Sequence, residues 1–370
     1  MTHPILAFLG LLLSIQTCSR GQDGKNLHHL SDPEASPMTV KLYNGLLTLS
    51  AEHVLLGHQD ALAYGIGWKE AEFRTDINDV LGDHPAVFGW DLGHMGDEQN
   101  IDGVNFENMR KWAIAVYKKG GVNTYSWHMR NFASGGTSWD RDSCVEACLP
   151  GGQAHELYLE RLDQAAQFFS GIQNENGELI PVMFRPFHEM TGSWFWWGHG
   201  NCSAEQYKAL FQFTVDYFRK EKGLHQLIIV YSSDRFKTAE EYMDFYPGDE
   251  YVDVMAFDDY HGLSSKERTP GTVGMLEILD SLSTRHHKMM AISETGLETI
   301  PNDLWFTDVV LSTLNTNEST RKAAWILFWR NGRPDHYYAP YPGHPAGPDF
   351  IEFMNHDLML SLSELPDLYH

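Results

Sequence analysis

Residues 179–189 read LIPVMFRPFHE. The run is apolar through Phe184, and then Arg185, His188 and Glu189 close it with three ionisable side chains. A strand buried on both faces requires the first half, and a strand ending at a reaction site requires the second. Seven other runs share this build: HVLLGHQD (53–60), AVFGWDLG (86–93), GVNTYSWH (121–128), LIIVYSSD (227–234), VDVMAFDDY (252–260), KMMAISETG (288–296) and AAWILFWR (323–330). Their closing polar residues are Asp60, Asp91, His128, Glu189, Asp234, Asp258 with Tyr260, Glu294, and Trp329 with Arg330. Taken singly, Asp60, Asp91 and Asp234 read as caps of the helices that follow. Eight polar ends together read as one functional face.

Helical periodicity separates the runs. Over 154–169, Leu157, Tyr158, Leu162, Ala165 and Phe169 share a face, with charged residues opposite. Strand and helix alternating eight times predict an α/β chain folded as a (β/α)8 TIM barrel, a single domain over residues 39–370. An open doubly wound sheet would require a Gly-rich phosphate turn, and no GxGxxG is present.

The 370 residues include 42% apolar and 13% aromatic side chains, enough for a large core. Twenty-seven basic residues against 50 acidic ones give a net charge of −23, which repels nucleic acid, anionic lipid and acidic polysaccharide and suits a neutral substrate. Residues 4–15, PILAFLGLLLSI, are too short to span a bilayer as a helix and precede Gln16-Thr17-Cys18, the shape of a secretory leader. Residues 1–18 are thus expected to be a signal peptide with Cys18 as a lipoprotein acylation site. Residues 19–38, rich in Ser, Asp, Pro and Gly, are expected to be a flexible tether. The expected location is then the cell envelope of a Gram-negative bacterium, periplasmic or on the outer membrane, with membrane attachment only through Cys18. No acidic cluster follows Cys18, which favours the periplasmic side. Among Cys144, Cys148 and Cys202, one pair can bridge, and the spacing does not choose which.

Glu189 and Glu294 end strands four and seven and would face each other across the barrel mouth. One neutral acid and one carboxylate so placed are what glycoside hydrolysis needs. Phe187 and Trp194 strip water from Glu189 and favour its protonated form, raising its pKa toward about 6–7. Arg185 or Arg330, with the Tyr260 hydroxyl, are candidates for keeping Glu294 ionised. A zinc protease would need H-E-x-x-H, but Gly192 holds the second His position. No G-x-S-x-G elbow is present. Four aromatics in a row, Trp194 to Trp197, fit a groove in which indole stacks on the C–H face of a pyranose. Trp194 is expected to line it, with Trp329 and Tyr260 opposite and Trp196 and Trp197 as scaffold.

Five motifs together resemble glycoside hydrolase family 26: RPFHEMTGSWFWWG (185–198), YPGDEYVDVMAFDDY (246–260), SETG (293–296), WH (127–128) and WRN (329–331). The resemblance spans roughly residues 40–360; relatives often carry Asn at the Thr191 position. It implies a retaining β-mannanase of the endo-1,4-β-mannosidase type, with Glu189 as acid/base and Glu294 as nucleophile. His128, His188, Trp194, Asp258, Tyr260, Trp329 and Arg330 would bind substrate, supported by Arg185 and Trp127. No metal or cofactor is implied, and the expected partner of the monomer is β-mannan or its oligosaccharides. A family minority cuts other β-glucans or β-1,3-xylan, and a barrel that binds sugar without cleaving it is the reading from another class. The loop at 131–153 is a candidate wall that would restrict the groove to mannobiose release.

Overall fold

The computed structural model describes Met1 and residues 30–370; the leader, Cys18 and most of the expected tether lie outside the described residues. All eight predicted strands form, each shorter than its apolar run: β1 Val54–Gln59, β2 Val87–Asp91, β3 Val122–Ser126, β4 Val182–Arg185, β5 Leu227–Ser233, β6 Val254–Asp258, β7 Met289–Thr295 and β8 Ala323–Phe328. Every residue in them is buried, because one face fills the barrel and the other lies under helices. Each pairs in parallel with its sequence neighbour, and β8 closes on β1 with Leu56 opposite Ile326 and Gly57 opposite Leu327. A short strand, Met359–Leu360, adds to the lower end of β1.

Helices cover the sheet with the faces their periodicity predicts. On His155–Ser170, Tyr158, Leu162, Ala165 and Phe169 are buried, and Phe169 meets Phe184 of β4 edge to face at 5.5 Å. Leu157 is the exception: it lies one residue off the 158/162/165/169 stripe and is exposed. On Phe106–Lys118, Trp112 stacks on Trp90 of β2 at 6.1 Å.

Two expectations about boundaries change. The folded body begins near residue 30 rather than 39, because Asp32 is buried and its carboxylate faces His225 at 2.9 Å and Arg219 at 3.8 Å. Ser36 then caps the helix Pro37–Leu49 by accepting from Thr39 N. Nor do Asp60, Asp91 and Asp234 cap helices: Thr75, Asn105 and Thr238 do so, several residues further on. That frees the three aspartates at the strand ends for other work.

Candidate active site

The mouth of the barrel carries a hollow of about 480 Å³ lined by His128, Trp139, Glu189, Trp194, Phe195, Tyr260, Glu294, Leu297, Trp329 and Tyr338, among others. Glu189 reaches it through an unusual turn. After β4, Phe187 (φ 50°) and Glu189 (φ 56°) both adopt left-handed backbone, a conformation that costs a non-glycine residue of order 1–3 kcal/mol. Three hydrogen bonds hold the turn: Tyr207 Oη donates to Phe187 O (2.9 Å), Trp197 Nε1 to His188 O (2.8 Å), and Glu189 N to Ser232 O (2.8 Å). Trp196 and Trp197 are fully buried, whereas Trp194 and Phe195 line the hollow.

Trp194 is partly exposed, and its Nε1 donates to Glu189 Oε2 at 2.6 Å. Its ring lies flat over Gly192, where a Cβ would come within 2.3 Å of the indole. Burial, followed by the charges of Asp258, Glu294 and Asp234, pushes the Glu189 carboxyl well above the usual range, and the Trp194 bond works the other way. Trp194→Phe removes a donor that favours the carboxylate. Glu189 should then stay protonated to higher pH, moving the alkaline limb of kcat/KM upward; a downward shift in the measured pH–rate profile would contradict this placement.

Glu294 is the next-to-last residue of β7 and is bound on both oxygens. Arg185 Nη2 donates to Oε2 at 2.5 Å and Tyr260 Oη to Oε1 at 2.7 Å. Of the two arginines considered, Arg185 is the partner. Its second arm, Nη1, lies 2.6 Å from Asp258 Oδ2, and Ser232 and Ser293 donate to the other oxygen of Asp258 at 3.0 and 2.7 Å. Burial pushes Asp258 up to about 7, with Arg185 opposing and Glu294 adding. Glu189, Asp258 and Glu294 each place an oxygen within 4.8 Å of the others, a grouping that could hold a cation; the Arg185 guanidinium already bonds two of the three. Arg185→Met would leave Asp258 and Glu294 buried without a counter-charge. It should cost about 3–5 kcal/mol, read as a lowered urea midpoint.

Four of the seven residues expected to bind substrate line the hollow: His128, Trp194, Tyr260 and Trp329. The other three do not line it. His188 is buried behind His128, with the two Nε2 atoms 3.3 Å apart. Asp258 is fully buried and pairs with the Arg185 guanidinium. Arg330 turns toward β1 and β2, where its Nη2 lies 2.8 Å from Asp102, beside Tyr64, whose hydroxyl donates to Asp60 at 2.5 Å. Trp127 is core, packed on Phe184 at 6.3 Å.

Sequence reasoning did not name Trp139 and Tyr338 as liners. Trp139 sits at the tip of the predicted wall loop, which Asn131 pins by donating to Asp140 O and Asp142 O and accepting from Ala133 N and Ser134 N. Trp196 N donates to Ser138 O at 3.2 Å and fastens this loop to the aromatic run. Further along the same loop, Cys144 and Cys148 are buried free thiols 3.5 Å apart, while the Cys202 thiol faces Trp197 O.

The family model of glycosyl hydrolase family 26 matches residues 31–284. A β-mannanase of this family from Bacteroides ovatus superposes with a TM-score of 0.87 at 40% identity, covering 90% of this chain and 98% of that one. A modular endo-β-1,4-mannanase from Cellulomonas fimi gives 0.87 at 30% identity, covering 93% and 79%. A mannan endo-1,4-beta-mannosidase of Bifidobacterium adolescentis is 29% identical over 91% of this chain, but the match spans only 36% of that relative's length.

Proposed function

The chain belongs to glycoside hydrolase family 26, and from that premise we propose that it is a retaining β-mannanase cutting β-1,4-mannosidic bonds in mannan, glucomannan or galactomannan. One observation carries the reading: an oxygen of Glu189 lies within 4.8 Å of an oxygen of Glu294. Retaining enzymes hold their carboxyls about 5–5.5 Å apart, whereas inverting ones leave about 6.5–9.5 Å for a water molecule.

Glu294, its oxygens turned by Arg185 and Tyr260, attacks the anomeric carbon. Glu189, kept protonated by its surroundings, gives its proton to the departing glycosidic oxygen. The resulting glycosyl ester is hydrolysed by a water that the now anionic Glu189 deprotonates, and the proton gained restores the acid. Trp194, Trp329 and Tyr260 supply faces and edges for the sugar rings, and no step calls for a metal or cofactor.

Mannobiose-releasing action rests on the 131–153 loop, whose Trp139 stands half exposed beside the hollow. A time course on β-mannan tests both levels of the reading. Mannobiose alone from the first minutes supports restriction, and a ladder of oligosaccharides replaces it with open endo action. Absence of any release defeats the enzyme reading in favour of a binding barrel. Proton NMR of fresh product should show the β-anomer first, and an initial α signal would overturn retention. The leader-like residues 4–18 support envelope anchoring of the enzyme; fatty-acid labelling that persists in Cys18→Ser would refute acylation there.

A further inference from the structure

Asp91, at the end of β2, does not reach the hollow, yet its buried carboxylate gathers four donors. Gly93 N (2.6 Å) and His128 N (3.2 Å) donate to Oδ1. Ser126 Oγ (2.6 Å) and His128 Nδ1 (2.7 Å) meet Oδ2. A buried carboxylate so bonded stays ionised: burial opposes the charge, but His128, Ser126 and Gly93 outweigh it and hold the carboxyl below its ordinary value.

His128 in turn meets His188 nitrogen to nitrogen, Nε2 to Nε2 at 3.3 Å, with the rings edge to face. Only one proton fits between those atoms. With Nδ1–H committed to Asp91, either His128 is cationic and donates to His188, or it is neutral and accepts from it. Around His128 stand Asp91 on β2, Asp102 in the following loop, His188 after β4 and Glu294 on β7; Trp139, Phe195 and Trp329 complete its shell. Burial disfavours the cation, but Asp91 first, then Glu294 and Asp102, raise its pKa above the ordinary histidine value. His188 is pushed well below that value by burial and by the charges of Arg185 and His128, so it is the neutral member.

The charge has a visible use. The Trp139 indole stacks on the His128 ring, with centroids 5.4 Å apart and planes 24° from parallel, although Trp139 is 50% exposed. An imidazolium attracts the face of an indole more than a neutral imidazole does. We propose that Asp91 is a positioning residue: through His128 it maintains the imidazolium on which Trp139 is stacked, and so holds the wall of the sugar groove in place. The proposal rests on the β-mannanase reading of the hollow.

The imidazole charge can be read without substrate. In 15N-histidine NMR of the wild-type enzyme at pH 7, His128 should appear doubly protonated and His188 neutral, and in Asp91→Asn the His128 signal should become that of a neutral ring. On manno-oligosaccharides Asp91→Asn should raise KM by up to about tenfold, the reach of one cation–π contact, with a smaller change in kcat. Trp139→Ala should raise KM alike, and the double variant should be no worse than Trp139→Ala alone. A neutral His128 in the wild type overturns the proposal even if Asp91→Asn fails to fold. So does a kcat loss with unchanged KM, or additive effects in the double variant. If the wild type does not hydrolyse mannan, the functional reading fails, and the NMR result stands apart from it.

Discussion

Glu294→Ala is expected to lower mannan hydrolysis by about four orders of magnitude while leaving the barrel folded. In the proposed mechanism the residue supplies the atom that bonds to the sugar, and the neighbouring carboxylate Asp258 is not free to replace it, being locked to Arg185, Ser232 and Ser293. The fold should tolerate the change, because Arg185 keeps Asp258 as its counter-charge. Added azide provides the sharper measurement. With the nucleophile gone, a small anion can enter from the same side, and the product should be an α-mannosyl azide. Activity within tenfold of wild type would remove Glu294 from the chemistry, and a β-azide would assign it a different role.

Glu189→Ala separates the two steps. On mannan, whose leaving group needs a proton, kcat should fall by about 10²–10⁴-fold. On an aryl β-mannobioside with an acidic phenol, the first step needs no acid and should proceed as a burst, after which the glycosyl ester accumulates for want of a base. Azide should then yield the β-mannosyl azide, opposite in configuration to the product expected from Glu294→Ala. The alkaline limb of the pH profile, which in the wild type reports loss of the Glu189 proton, should disappear with the side chain. Equal losses on both substrates would show that Glu189 is not the proton donor.

Much of this was legible in the chain alone. The eight strands were readable because a strand buried on both faces has to be almost wholly apolar, and its first polar residues mark where burial ends. The same logic picked Glu189 and Glu294, since a carboxylate closing an apolar strand has few structural excuses. What could not be read was direction. Asp258 and Arg330 are polar residues at strand ends like the others, yet one is fully buried under Arg185 and the other turns to Asp102. Asp91 looked like a helix cap because the sequence does not reveal that β3 brings Ser126 and His128 alongside it. Trp139 lay in a loop whose shape depends on the Asn131 side chain, a local tie with no periodic signature. Residues 30–38 looked like tether because Ser, Asp and Pro suit a linker; the partners of Asp32, Arg219 and His225, are nearly two hundred positions away.

The left-handed turn at Phe187 and Glu189 makes the proposed proton donor a tenant of its neighbourhood. Its angle toward the polymer is set by a tyrosine on the next helix, a carbonyl on the adjoining strand and an indole in the scaffold, none of which lines the hollow. An engineer who redesigns only the groove surface would leave those three contacts untouched and keep the acid aimed. One who repacks the helix behind β4 for heat resistance would risk an enzyme that survives boiling and no longer cuts.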